Sequence, residues 1–167
     1  MRAFVTVGST QFDELIMALD DERVQKALRD IGVTKLTVQY GRGRYRMATG
    51  SGSFLDVEAY DFKRSLHDDM TAADLIISHA GAGTILESLR LEKRLIVVVN
   101  ESLMDNHQAE LAEEMERNNH SYAATVSTLL DVIRRAEFST RVPLPPPNSE
   151  AVPTVLKEEL LLRNLGL

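Results

Sequence analysis

Residues 73–108 read A-D-L-I-I-S-H-A-G-A-G-T-I-L-E-S-L-R-L-E-K-R-L-I-V-V-V-N-E-S-L-M-D-N-H-Q. Leu75, Ile76 and Ile77 form a short continuous apolar run, the pattern of a parallel strand covered on both faces, and polar Ser78 and His79 follow where such a strand ends. Gly81 and Gly83 flank Ala82, so the backbone there is free to take positive φ and to approach a ligand without a Cβ in the way. Ile85, Leu86 and Leu89 then recur at helical spacing, and the exposed amides and positive dipole end of that helix suit an anion such as a diphosphate. Thr84 and Glu87 equally fit a capping box, Thr84 as cap and Glu87 reaching back to the cap's amide, with no ligand involved.

The remainder of the stretch repeats the strand-to-helix plan. Leu95 to Val99 is a second continuous apolar strand ending in Asn100-Glu101-Ser102, Asp105 can cap the next helix, and Leu111, Ala112 and Met115 give that helix an apolar stripe. Asn106, His107 and Gln108 fall in its first turn, toward the same end of the sheet as the Gly81 turn; by spacing alone they read equally as ordinary first-turn polarity.

Upstream, Ala3 to Val7 is a buried first strand, followed by the polar turn Gly8-Ser9-Thr10 and by Phe12, Leu15, Ile16 and Leu19 at helical spacing. Gly8, Ser9 and Thr10 can present amides and hydroxyls to a phosphate or sugar, or simply start the helix. A helix from about Arg23 to Asp30 stops at Ile31-Gly32, and Lys35 to Tyr40 is strand-like. The segment 41–52, G-R-G-R-Y-R-M-A-T-G-S-G, has the composition of a mobile loop or strand-ending turn, either solvated or able to meet a phosphate, a lipid headgroup region or a partner. Ser53 to Tyr60 is a further strand, and Phe62, Leu66 and Met70 have helical spacing. The acidic pairs Asp56/Glu58 and Asp68/Asp69, the latter beside His67, read as solvated faces.

Toward the C-terminus, Ser121 to Val126 is a last strand candidate and Leu129, Leu130 and Ile133 mark a short helix. Residues 141–153 carry all five prolines of the chain, and an extended connector is expected there. Residues 154–167 hold Val155, Leu156, Leu160, Leu161, Leu162 and Leu165 on a helix with little polar covering, to pack back on its own domain or against another protein. The expected organisation is a domain over 1–137, a Pro-rich connector over 138–153 and a docking helix over 154–167. No internal repeat is evident.

Composition narrows the function. The chain has 167 residues, 44% hydrophobic and 26% charged, enough for one domain with a substantial core. A formal net charge of −6 disfavours an extended nucleic-acid footprint, so no nucleic-acid partner is expected. The absence of cysteine excludes disulfides, thiolate zinc sites and a thiol nucleophile, and fits a reducing, cytosolic compartment. No apolar run approaches the roughly 20 residues of a membrane helix, and the N-terminal run is too short for a signal peptide. Alternating strands and helices predict an α/β fold, a single Rossmann-like domain with a mostly parallel sheet and a C-terminal helix, binding its ligand beyond the carboxyl ends of the strands.

Four stretches in order, F-V-T-V-G-S-T at Phe4 to Thr10, Q-Y-G-R-G at Gln39 to Gly43, D-L-I-I-S-H-A-G-A-G-T-I-L-E at Asp74 to Glu87 and L-M-D-N-H-Q-A-E-L-A at Leu103 to Ala112, resemble the nucleotide-sugar-binding C-terminal half of the two-domain GT-B glycosyltransferases of family 28. The likeness, from Ala3 to about Thr128, is to the small subunits of two-protein transferases that add the second GlcNAc to dolichyl-diphosphate-GlcNAc. It implies that Glu87 holds the ribose hydroxyls of UDP, that Gly81, Ala82, Gly83 and Thr84 form the turn at the diphosphate, and that Gly8, Ser9 and Thr10 form a first phosphate loop. It also implies a UDP-sugar site that includes Asn106, with His107 and Gln108 near the sugar.

His107 stands where the bacterial lipid-linked relatives carry glutamine and His79 where they carry arginine, so His79 serves the phosphates or orients the turn. The resemblance further implies UDP-GlcNAc as donor, no metal and no cofactor. A GT-B enzyme needs two such domains, and this chain supplies one. A membrane-anchored subunit is therefore expected to bind the lipid-linked GlcNAc acceptor, supply the base absent here, and hold this chain through residues 154–167 at the cytosolic face of the endoplasmic reticulum. Alternatives are a split bacterial-type polysaccharide transferase subunit or a non-catalytic nucleotide-binding scaffold.

Overall fold

The computed structural model describes residues 1–102 and 106–145, with Asn106 and His107 described by backbone alone. The element order is β1 (Arg2–Thr6), α1 (Asp13–Asp20), α2 (Glu22–Asp30), β2 (Lys35–Gln39), β3 (Gly50–Ser51), β4 (Asp56–Tyr60), α3 (His67–Ala72), β5 (Leu75–His79), α4 (Ala82–Arg90), β6 (Arg94–Val99), α5 (Asn106–Arg117), β7 (Tyr122–Thr125) and α6 (Leu129–Arg135), with a 3-10 turn at Phe138–Thr140. The strands join in the order β3-β4-β2-β1-β5-β6-β7. Every pairing is parallel except that of the short β3 with β4. The α/β class and mostly parallel sheet read from the sequence are therefore present.

Alternation along the strands sorts the core into two layers. Val5, Val38, Ile77, Ile96 and Val98 face α1, α2 and α6, which contribute Leu15, Leu28 and Ile133 among others. Phe4, Ile76, Leu95 and Val97 face the other way, onto Met70 of α3, Ile85 and Leu89 of α4, and Leu111 and Met115 of α5. The continuous apolar runs of β5 and β6 follow from burial on both faces. A fully buried aliphatic side chain contributes roughly 1.5–3 kcal/mol, so each of these strand positions is a substantial part of the core together with the helix side chains that cover it.

The chain moves outward from β1 to β2 and β4, then returns across β1 to place β5 on its other side. The order reverses between β1 and β5, and the loops leaving their carboxyl ends diverge there, which is where open parallel sheets bind ligands. The loop after β1 begins at Gly8 and the turn after β5 contains Gly81.

Several expectations are corrected. Of the two readings of 41–52, a mobile loop or a strand-ending turn, the chain takes a turn directly after β2 and is then tied down: Asp13 Oδ1 accepts the amides of Arg44 at 2.7 Å and Tyr45 at 3.0 Å, and Met47 is buried. The Tyr45 hydroxyl also donates to Asp20 at 2.6 Å. Within that segment Gly50–Ser51 adds a strand that the reading did not contain, and β4 starts at Asp56 instead of Ser53. Helix α3 spans only His67–Ala72, with Phe62 at 71% exposure lying outside it, so the spacing of Phe62 to Leu66 and Met70 is not that of a buried helix face.

The segment 137–144 packs beside β7. The Glu137 amide donates to the Tyr122 hydroxyl, Phe138 meets the Tyr122 ring edge-on, the Arg141 guanidinium lies 3.5 Å from that ring's centre, and Leu144 adjoins the second layer. Residues 154–167, expected to form a docking helix, lie outside the described residues, as does the Asp105 cap. Among the described residues no helix is long and apolar enough to cross a membrane.

Candidate functional site

The crevice is built from the Gly8 loop, the Gly81 turn and the first turns of α4. Helix α4 begins at Ala82 with Gly81 as its cap residue and no side-chain cap, and the first cap bond runs from Ile85 N to Gly81 O at 3.0 Å. The amides of Ala82, Gly83 and Thr84 make no hydrogen bond among the described residues. Three unmet donors at the positive end of a helix dipole, at the sheet's switch point, have the chemistry to hold an anion.

Thr84 is therefore the third residue of the helix and not its cap, and the capping-box reading fails. Glu87 does not reach back to the helix start; its Oε1 lies 2.9 Å from Nδ1 of His67, on α3. The Glu87 side chain is 41% exposed and lies one turn along α4 from Gly83.

Positive φ, one of the two reasons expected for the glycines, does not apply at Gly81. Gly81 has φ −86°, an ordinary value, so the turn does not need the left-handed region. What it needs is the missing side chain: a Cβ on Gly81 would sit 2.5 Å from Nε2 of His79, and a Cβ on Gly8 would sit 2.8 Å from Cε1 of the same ring. The His79 imidazole is thus held between the two glycines, bridging the loop after β1 and the turn after β5. Gly8 additionally has φ +62°, where a side chain is strained.

The Gly8-Ser9-Thr10 loop is closed from within. The Gly8 amide donates to Thr6 Oγ1 and Gln39 Oε1, each at 3.0 Å, while Gln39 Nε2 donates to Gly8 O at 2.7 Å and to Asp61 O at 3.0 Å. The Thr10 amide and hydroxyl both donate to Val7 O, at 3.2 and 2.8 Å. Of the three residues only exposed Ser9 has its amide and hydroxyl uncommitted among the described residues. Gln39, 1% exposed at the end of β2, is the group that shapes this loop, and the sequence reading gave it no role. An amide side chain closing the L-T-V-Q run, at the end of a strand whose Leu36 and Val38 read as buried, was the available signal.

Asp13 holds the adjoining loop. Partial burial would raise its pKa, but the Tyr45 amide, the Gln11 side chain, the Arg44 amide and the Arg46 charge together keep the carboxyl below its ordinary value. It stays ionised and keeps accepting both amides at neutral pH.

Helix α5 starts beyond β6 at the same end of the sheet, with half-buried Gln108 in its first turn. The backbones of Asn106 and His107 occupy that turn; their side chains lie outside the described residues. Thus Gly8 and Gly81 meet at the His79 ring, Ser9 stays exposed beside Gly8, Ala82, Gly83 and Thr84 open α4, Glu87 lies one turn along that helix against His67, and Thr10 serves the loop's own closure.

A model of the glycosyltransferase family 28 C-terminal domain matches residues 2–154. The chain belongs to that family. It is 40% identical over 151 residues to the UDP-N-acetylglucosamine transferase subunit ALG13 of Mus musculus, a match that covers 85% of this chain and 13% of the mouse protein. It is 33% identical over 183 residues to the subunit of that name from Eremothecium gossypii, covering 92% of this chain and 90% of the fungal protein. The NMR solution structure of ALG13 superposes with a TM-score of 0.67 at 26% identity, covering 98% of this chain and 94% of that one. The family 28 resemblance drawn from the four ordered stretches is thereby established, and with it the GT-B type of the domain. The chain spans about an eighth of the mouse relative's length.

Proposed function

We propose that this chain is the UDP-GlcNAc-binding half of a two-protein, inverting N-acetylglucosaminyltransferase that acts on dolichyl-diphosphate-GlcNAc at the cytosolic face of the endoplasmic reticulum. The observation that carries the reading is the set of three unbonded amides at the start of α4, with Glu87 one turn further along, at the sheet's switch point. Support comes from the relatives, which are named UDP-N-acetylglucosamine transferase subunits, and from the match to one domain of a family whose enzymes close a cleft between two.

In this reading the diphosphate of UDP-GlcNAc rests on the Ala82, Gly83 and Thr84 amides and the Ser9 loop, Glu87 accepts the ribose hydroxyls, and Gln108 with His107 meets the sugar. The acceptor hydroxyl oxygen attacks the anomeric carbon from the face opposite UDP. The bond from that carbon to the β-phosphate oxygen breaks, UDP leaves with the electron pair, and the hydroxyl proton passes to a base. The helix amides stabilise the charge that builds on the departing diphosphate. A membrane-anchored partner subunit holds the lipid-linked acceptor and supplies the base.

Glu87→Ala in the reconstituted two-protein enzyme tests this. Loss of charge-assisted hydrogen bonds worth about 1.5–3 kcal/mol is expected to lower transfer roughly 10- to 100-fold with the thermal unfolding midpoint preserved. Transfer at the parent rate would reject the ribose role.

A further inference from the structure

We propose that His67 is a positioning residue for Glu87, fixing its carboxylate for the ribose and so setting the preference for a ribonucleotide over a deoxyribonucleotide; this rests on the ribose reading of Glu87. The two residues lie on different crossovers, His67 opening α3 between β4 and β5 and Glu87 on α4 between β5 and β6. Their side chains meet across that gap at 2.9 Å, from His67 Nδ1 to Glu87 Oε1. An ionised carboxylate only accepts hydrogen bonds, so Nδ1 is the donor and carries the proton in this contact.

A partly exposed glutamate on a helix surface samples several rotamers, and each must be given up before a diol can be gripped by both oxygens. His67 removes that freedom in advance. It engages one oxygen from the side, leaving Oε2 and the remaining lone pair of Oε1 for the two ribose hydroxyls. The imidazole is well placed for this because its own platform is rigid. The His67 amide donates to Ser65 Oγ at 3.2 Å, the Met70 amide donates to Leu66 O at 2.9 Å, and the Met70 side chain is buried in the second core layer. Asp69 of the same helix is held by the Tyr60 hydroxyl and by Lys63.

This contact has little other purpose. Both side chains are substantially exposed, 56% for His67 and 41% for Glu87, and an exposed pair of this kind adds little to stability. Placed beside a nucleotide crevice, it instead sets the direction in which a carboxylate points. Preorganisation of this type shows as discrimination between ligands that do and do not use the oriented group.

The test is UDP and 2′-deoxy-UDP binding to the full chain, followed by NMR shifts of the Gly83 and Glu87 amides, in the parent, His67→Ala, His67→Asn and Glu87→Gln proteins. The parent is expected to prefer UDP by about tenfold, His67→Ala to retain about a two- to threefold preference through weaker UDP binding alone, and His67→Asn, whose amide can replace Nδ1 as donor, to restore most of it. Equal weakening of both nucleotides by His67→Ala, or an unchanged preference, would overturn the proposal while Glu87→Gln still loses discrimination. Discrimination that survives Glu87→Gln, or no binding of either nucleotide to the parent, would instead overturn the ribose reading on which it rests.

Discussion

At the scale of single residues, His79 organises the crevice by occupying space that two glycines leave open. A methyl group on Gly81 would meet its Nε2 at 2.5 Å, although the backbone there tolerates any residue. Gly81→Ala should therefore destabilise by overpacking, about 1–3 kcal/mol, and His79→Ala should relieve much of that loss. Urea unfolding of the two single variants and the double variant checks this, the double being more stable than the sum of the singles requires. The position of the glycines was legible in the sequence, but not the packing that requires Gly81. Spacing showed Gly81 and Gly83 after an apolar run; it did not show that a histidine two residues earlier turns back over Gly81 and across to Gly8. Gln39 was hidden for a related reason, since it lies 31 residues from the Gly8 amide it binds, and only the parallel pairing of β1 with β2 brings them together.

Among the elements, the junction of α1 and α2 offers a titration with a defined sign. Asp21 caps α2 by accepting the Arg23 amide at 2.8 Å, and the Arg23 side chain pairs with the same carboxylate. The Arg23 side-chain bond, then its amide, lower the Asp21 pKa from 3.8 to about 2. A depressed carboxyl pKa stabilises the folded state above the unfolded value and loses that contribution as pH falls between about 4 and 2. Carboxyl NMR titration should place the Asp21 midpoint near 2, and Arg23→Ala should move it up, though not fully, because the amide remains. The elements with strong apolar periodicity, β1, α1, α2, β5, α4 and β6, were legible because burial dictates their pattern. Helix α3 was legible from Leu66 and Met70 but not its start, since the exposed Phe62 lies outside it, and strand β3 was not legible at all, because two residues, Gly50 and Ser51, carry no strand signature. The composition of 41–52 left a mobile loop and a strand-ending turn equally open, because Asp13 on α1, the acceptor that ties the segment down, is distant in sequence.

For the whole molecule, the sheet order leaves one crevice at the carboxyl ends of β1 and β5, while the segment at 137–144 packs beside β7. If residues 154–167 dock the partner, truncation after Pro153 should abolish co-purification of the two proteins and leave UDP binding by this chain intact; full retention of the partner would reject the docking role of that segment. The seam between β1 and β5 has a consequence of its own. Within the sheet it joins the outer strands β2 and β4 to β6 and β7 through one strand pairing, with α2 packed on α6 across it, and the loops after β1 and β5 leave from its carboxyl end. A ligand that touches both the Ser9 loop and the α4 amides fastens the two halves across this seam, so amide exchange through global opening slows by the factor one plus ligand concentration over Kd, about a hundredfold at 100 times Kd. The buried amides of β1 and β5 then act as reporters of occupancy in the chain by itself, with no sugar transferred.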